Sequence, residues 1–277
     1  MPTTATRSNW MASHADALKQ LPLNAITLPG THDSGTYAYK GMEMPAKQTI
    51  KDILGFITKI FGVKLPITMA LDVVWKVLLE QTITQQRTIT EQLEDGIRYL
   101  DIRTAQDAGQ LYIVHGVMPH CDKKVIGTGT GNDQGVVQDV AAFLADHPQE
   151  IVLLDFQEFQ HLDKGSYARL LSQVLDHLGP YLLGPKLANG QATFEATLEA
   201  IWADQPDRGR AIVLFDRSEA EKIEGTKLWN DQLLWDRSQS VFSPWGNTAS
   251  TERLENFLLM QQPDALMTKG YFNILQG

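Results

Sequence analysis

The strongest constraint on this chain is a set of short, near-continuous apolar runs, several ending on an acid. "EIVLLDFQ" (150–157) and "AIVLFD" (211–216) are the clearest. Such runs are too apolar throughout for a strand with one face in water, so they predict strands covered on both faces. "AITL" (25–28), "IRYLDIR" (97–103), "LYIVHG" (111–116) and "ALMTKGYFNIL" (265–275) extend the series, with a weaker candidate at "QLLW" (232–235). Between them lie segments of helical period. In "GVVQDVAAFLADHP", Val136, Val140, Phe143 and Leu144 share one face; in "YARLLSQVLDHLG", Leu170, Leu171, Val174, Leu175 and Leu178 do so, with Gly179 as a C-terminal cap. Alternating strands and helices predict an α/β fold with a mainly parallel sheet.

Composition narrows the class. No linker-like shift divides the 277 residues, so residues 1–277 read as one domain. A formal charge of −9 argues against nucleic acid as a partner. Cys121 is the single cysteine, which excludes an internal disulfide and a multi-cysteine metal site. The N-terminal residues lack the apolar stretch of a secretory signal, so the chain reads as cytoplasmic, or as secreted after processing.

Lys40 to Glu80 breaks the α/β rhythm. Six lysines stand against four acids there, and "DILGFITKIFGVKLPITMALDVVWKVLL" reads as two amphipathic helices broken near Pro66. Packed on the core, they form a helical hairpin; facing outward, an apolar stripe flanked by lysines suits an anionic membrane surface or a lid.

Chemistry-bearing residues cluster at the ends of the predicted strands. "ITLPGTHDSGT" delivers His32 and Asp33 side by side, between Gly30 and Gly35. Asp101 and Arg103 leave one face of the next strand, and His115 closes another. Each has a plain structural reading: a cap at Asp33, a core ion pair at Asp101 and Arg103, a satisfied histidine at His115. If the strands are parallel neighbours, however, all five converge at the carboxyl end of a barrel, where barrel enzymes place their sites. Two histidines can serve as general base and general acid, and an arginine can match a phosphate bidentately. "GTGTGNDQG" (127–135) lacks the flanking strand and helix of a nucleotide loop and reads as a flexible loop.

"LPGTHDSGT", "GIRYLDIR", "LYIVHG" and "HPQEIVLLDFQEF" together resemble, in order, the X domain of phosphatidylinositol-specific phospholipase C, from about Trp10 to Phe215. They look closest to the bacterial single-domain enzymes and the small X-domain-containing proteins. The resemblance implies a distorted TIM barrel with a helical insertion at about 40–85 after the first strand. It implies cleavage of phosphatidylinositol into diacylglycerol and a cyclic inositol phosphate. His32 would take the proton of the inositol 2-hydroxyl, His115 would protonate the departing glycerol oxygen, Asp33 would orient His115, and Arg103, held by Asp101, would stabilise the phosphoryl oxygens.

For the headgroup, the resemblance implies contacts from Arg217 and Asp236, and from Gln157, where the bacterial enzymes carry a lysine and the calcium-dependent ones a glutamate. Arg103 and Asp33 stand where the calcium-dependent branch has an acid and an asparagine, so no metal is expected. A calcium-assisted phosphodiesterase using Asp33, Asp101 and Asp155 or Glu158 is the alternative; a non-catalytic lipid-binding barrel is another. The last predicted strand, 265–275, is the seventh, so the barrel reads as incomplete. No aspartate follows Asp264 to take the place of the one that partners the first histidine in the bacterial enzymes.

Overall fold

The structure, a computed structural model, describes residues 7–37, 82–115, 123–127, 134–217, 229–244, 250–261 and 272–274. In chain order these form β1 (Gly30–Thr31), β2 (Tyr99–Asp107), β3 (Gln110–Ile113), β4 (Ile151–Gln160), β5 (Arg210–Phe215), β6 (Trp235–Asp236), β7 (Val241–Phe242) and β8 (Phe272–Asn273). The helices are α1 (Trp10–Ser13), α2 (Ala15–Leu18), α3 (Ile89–Glu94), α4 (Val136–Asp146), α5 (Lys164–Leu178), α6 (Leu198–Asp204), α7 (Arg237–Ser240) and α8 (Thr251–Met260). A sheet runs β1-β2-β4-β5-β6 with every pair parallel, and β3 joins β2 antiparallel. The α/β prediction with a parallel sheet holds.

Period two sorts the strand residues into two cores. Leu100, Ile102, Val152, Leu154, Phe156, Val213 and Phe215 face α3, α4 and α5. Tyr99, Ile151, Leu153, Ile212, Leu214 and Trp235 face the other side, where Met11, Leu198 and Ile201 cover them. From Ile151 to Phe156 every residue of β4 is buried, which is why its sequence shows no alternation. Burying each large apolar side chain contributes roughly 1.5–3 kcal/mol.

Local signals set the helix starts. Thr88 caps α3: its hydroxyl accepts from the Glu91 N–H (3.2 Å) while the Glu91 carboxylate accepts from the Thr88 N–H (2.8 Å). Asp163 caps α5 by accepting from the Ser166 N–H at 2.7 Å.

Several expectations need correction. "AITL" is not the paired strand: a 3-10 turn occupies Leu23–Ala25, and pairing begins only at Gly30, against Tyr99. "LYIVHG" is not a parallel neighbour but the return strand of a hairpin. Asp107 and Gln110 pair across Ala108 and Gly109, whose positive φ values of 43° and 78° suit the twist of a two-residue hairpin turn. Gly179 is the C-cap of α5 as expected, with a right-handed φ of −46° that continues the chain into a 3-10 turn. The "QLLW" candidate pairs only from Trp235 onward. Of the predicted strand 265–275, Phe272 and Asn273 pair with β7 in a separate two-stranded sheet, and most of the rest lies outside the described residues. The insertion lies outside them too, except for its last few residues from Thr82, and so does Cys121. No helix among the described residues is long and apolar enough to cross a membrane.

Candidate active site

The hairpin rescues what a parallel β3 would have supplied. Because β3 runs back along β2, the Val114 N–H donates to the Arg103 carbonyl (3.0 Å), and His115 returns to the level of Arg103. Parallel pairing of Gly30 with Tyr99 and of Thr31 with Leu100 brings His32 beside Asp101. His32, Asp33, Asp101, Arg103 and His115 therefore meet at the carboxyl end of the sheet.

The loop after β1 is held from several directions. The Ser34 N–H donates to the Asp101 carbonyl (2.9 Å), the Asp101 N–H donates to Ser34 Oγ (2.9 Å), and the Asp33 N–H donates to Asp101 Oδ2 (3.1 Å). Thr84 Oγ1 donates to the His32 carbonyl (3.0 Å), as does Gln85 Nε2 (2.7 Å). These two residues carry no motif, and only the fold brings them under the loop. The glycines that fence the motif make room for protein side chains: a Cβ on Gly30 would lie 2.7 Å from the Tyr99 ring, and one on Gly35 2.7 Å from Ile113.

Both imidazoles are held at Nδ1. His115 Nδ1 lies 3.1 Å from the Thr82 carbonyl, an acceptor, so that nitrogen carries the hydrogen. His32 Nδ1 lies 3.2 Å from Asp101 Oδ2, and Arg103 Nη2 donates to the same oxygen at 3.2 Å. Asp101 thus stands by His32 as well as Arg103, and answers the question of which carboxylate partners the first histidine in this chain. Nε2 of each ring faces the Asp33 carboxylate. The two rings are perpendicular, 5.6 Å between centroids.

Asp33 sits between them. Its Oδ2 lies 3.1 Å from His32 Nε2 and 3.0 Å from His115 Nε2, and its Oδ1 lies 2.9 Å from Arg103 Nε. It therefore approaches both histidines, not His115 alone. The carboxylate is fully buried, yet neither oxygen is aligned for a hydrogen bond, and the backbone is held at φ +43°. Strain of both kinds at one residue is characteristic of functional sites.

Burial pushes the Asp33 carboxyl up to about 7; the Asp101 charge adds to this, and Arg103 and His32 oppose it. Burial lowers His115 to about 4. The Asp101 contact raises His32. Asp101 stays below its usual range because His32, Arg103 and the Asp33 N–H outweigh its burial.

Asp33 makes the stability of the fold depend on pH. A folded-state pKa of about 7 against 3.8 means the folded form holds a proton that the unfolded chain has lost between those values. The stabilisation is complete below pH 3.8 and is lost as pH rises through 7. Asp33→Asn removes this dependence, so its melting temperature relative to wild type rises between pH 4 and pH 8. A constant difference across that range contradicts the assignment.

The other candidates separate from this centre. β4 carries a bulge: Ile102 pairs with Phe156, but Arg103 pairs with Glu158, so Gln157 is the extra residue. Its amide donates to Tyr99 Oη at 2.9 Å, pointing back into the sheet interior. Arg217 Nη1 donates to Asp231 Oδ1 (2.9 Å), and its guanidinium lies 5.8 Å from the Trp229 ring. Asp236 accepts weakly from the Arg217 N–H (3.5 Å) and caps α7 through the Ser238 N–H (3.1 Å). Asp155, buried at 0% exposure, accepts from Tyr99 Oη (2.9 Å) and from Arg237 Nε (2.7 Å), and Arg237 is a residue the sequence reading passed over. Its signal was an arginine just past a strand end.

Donor atoms of His32, Asp33 and His115 lie within 4.8 Å of one another, the spacing of a metal cluster. The set suits calcium poorly. Calcium prefers six to eight oxygens, and here Arg103 already bridges Asp33 and Asp101 while Asp155 is committed to Tyr99 and Arg237.

Acid–base side chains gathered beyond the carboxyl ends of parallel strands are the arrangement in which barrel enzymes place their sites. The chain belongs to the PI-PLC X family: the profile described as PI-PLC X 1 matches residues 77–224, which include Asp101, Arg103 and His115 but not His32 or Asp33. Among relatives, it is 27% identical to human PI-PLC X domain-containing protein 2, covering 98% of this chain and 76% of that protein. It is 26% identical to human PI-PLC X domain-containing protein 3, covering 91% and 68%. In fold it is similar to the phosphatidylinositol-specific phospholipase C from Listeria monocytogenes (TM-score 0.56, 18% identity, 97% of this chain and 77% of that one). The S. aureus enzyme is similar at TM-score 0.52 and 14% identity, with 98% and 76% covered. These likenesses bear out the distorted barrel class.

Proposed function

We propose that this protein is a phosphatidylinositol-specific phospholipase C that cleaves the glycerol–phosphate bond by attack of the inositol 2-hydroxyl. One observation carries the reading: two histidine Nε2 atoms flank one oxygen of Asp33, and a guanidinium lies against the other.

The attacking hydroxyl and the leaving alkoxide both have high pKa values, so a proton must be taken on one side of phosphorus and given on the other. His32, with Nδ1 held by Asp101, accepts the 2-hydroxyl proton at Nε2 as the oxygen forms its bond to phosphorus. The phosphorus–glycerol oxygen bond breaks, and the leaving oxygen takes the proton that His115 Nε2 receives from the Asp33 carboxyl. Burial keeps His115 neutral at neutral pH, so the proton is stored by the pair it forms with Asp33, whose carboxyl stays protonated up to about pH 7. Arg103, 18% exposed, offers its guanidinium to the phosphoryl oxygens, and this charge stabilisation is worth several kcal/mol in a water-poor site.

The reaction needs no metal, since Arg103 supplies the positive charge between the carboxylates that calcium would bind. The partner is phosphatidylinositol or a related phospholipid presented at a membrane surface, and the lysine-bearing sequence of 40–85 suits contact with anionic lipid.

The test is phosphorus NMR of phosphatidylinositol micelles incubated with the protein, with and without chelator. A cyclic inositol phosphate appearing equally in both is the expected result. Activity abolished by chelator supports the calcium-assisted alternative, and no turnover of any inositol phospholipid refutes the reading.

A further inference from the structure

A second carboxylate–arginine pair stands beside the first. Asp101 and Asp155 are Cα partners across β2 and β4, so their side chains leave the same face of the sheet side by side. Arg103 lies two residues beyond Asp101. On the far flank, Trp235 is level with Leu214, and Leu214 with Asp155, so Arg237 likewise lies two residues beyond that level. Each guanidinium thus lies beyond a buried carboxylate at the carboxyl end of the sheet.

Arg237 is built to be held still. Its Nε donates to Asp155 Oδ1 at 2.7 Å, and Asp155 Oδ2 is taken by Tyr99 Oη at 2.9 Å. Tyr99 Oη in turn accepts from Gln157 at 2.9 Å. Asp155 is completely buried and Tyr99 nearly so, whereas the Arg237 side chain is 25% exposed. Among the described residues, Asp155 is the one carboxylate paired with Arg237. Anchoring through the inner nitrogen leaves the outer edge of the guanidinium, with its two amino groups, as the part that can meet a ligand.

We propose that Arg237, positioned by Asp155, binds hydroxyl oxygens of the inositol ring and is a specificity-determining residue of this cleft. The inference rests on the reading of the cleft as an inositol phosphodiester site. Two features favour neutral hydroxyls over a further phosphate. The Arg237 charge is already balanced by Asp155, so the pair offers directed donors with little net field. Gln157, the position where the resemblance implied a headgroup contact, is turned away to Tyr99 and leaves that role open. Arg217 is less well placed to fill it, being 42% exposed and tied to Asp231.

Titration calorimetry with soluble probes tests this directly: myo-inositol 1-phosphate, which carries the ring, against glycerol 3-phosphate, which does not. The proteins are wild type, Arg237→Gln, Arg237→Lys, and the double variant Asp155→Asn/Arg237→Gln, which removes both charges and avoids stranding a buried carboxylate. Losing hydrogen bonds from a charged donor weakens the ring-bearing ligand by about 10- to 100-fold, with glycerol 3-phosphate changed by less than about threefold. The double variant gives the same split, and Arg237→Lys, lacking the planar fork, recovers only part of the loss. Equal weakening of both ligands, no weakening in a folded variant, or no preference of wild type for the ring overturns the proposal. Phosphorus NMR on the same proteins separates the two readings. Cleavage of phosphatidylinositol without the ring-specific loss leaves the function standing and removes Arg237 from it. A ring-specific loss without cleavage does the reverse.

Discussion

His32→Ala and His115→Ala each lower the rate of phosphatidylinositol cleavage by about 10²- to 10⁴-fold, the range for a positioned acid or base. Each ring is held at Nδ1, His32 by Asp101 and His115 by the Thr82 carbonyl, so alanine removes the group that moves the proton while the cleft walls stay. The double variant loses little more than the worse single one, because acid and base act in one step. The pH profile carries a second check. His32, raised by Asp101, is a competent base only once deprotonated, so activity climbs with pH through its elevated pKa. Asp33 holds its proton up to about 7, so the acid side fails above that. The two limbs give a bell near neutrality. Initial rates of the purified variants, with circular dichroism as a check of folding, decide the matter; a histidine variant with near wild-type turnover contradicts the assignment.

The largest effect on stability comes from the opposite end of the sheet. Arg98 and Glu150 are both fully buried and lie 2.8 Å apart. Arg98 also donates to the carbonyls of Leu93 (2.9 Å), Ile97 (2.7 Å) and Ser8 (2.6 Å), and lies 4.8 Å from the Phe143 ring centre. Glu150 accepts the Ala12 N–H at 3.1 Å. The pair ties the N-terminal turns, α3 and the start of β4 together. Removing one partner of a buried pair strands the other charge, which costs about 3–5 kcal/mol, a large share of the roughly 5–15 kcal/mol that holds a domain folded. Arg98→Met and Glu150→Gln therefore shift the urea midpoint strongly downward. Arg98→Met/Glu150→Leu, which removes both charges, costs less than the sum. A loss below about 1 kcal/mol in either single variant contradicts this role.

The parts of this protein that were legible in sequence are those where one strand decides the outcome. Ile151 to Leu154 announced a doubly covered strand, and the spacing of Val136, Val140, Phe143 and Leu144 announced a helix. Asp101 and Arg103 were readable as a same-face pair because strand period alone places them. What stayed hidden depends on partners distant in sequence. The direction of the "LYIVHG" strand turned on the backbone of Ala108 and Gly109. The orientation of Gln157 turned on a bulge visible only against β2. The partner of His32 was sought near the C-terminus because the resemblance implied it there, whereas in this fold the pairing of β1 with β2 brings Asp101 to that nitrogen. Arg237 is marked locally only as an arginine past a short strand; its meaning comes from Asp155, across two strands.

The central claim is that the substrate's own 2-hydroxyl, and not water, attacks phosphorus. The most direct measurement is the cleavage rate of phosphatidylinositol whose 2-hydroxyl is methylated, beside the natural lipid in the same micelles and in the presence of chelator. His32 then has no proton to take and no nucleophile to release, so the account predicts diacylglycerol from the natural lipid and none above background from the methylated one. Release of diacylglycerol from both at comparable rates would show direct hydrolysis and contradict it.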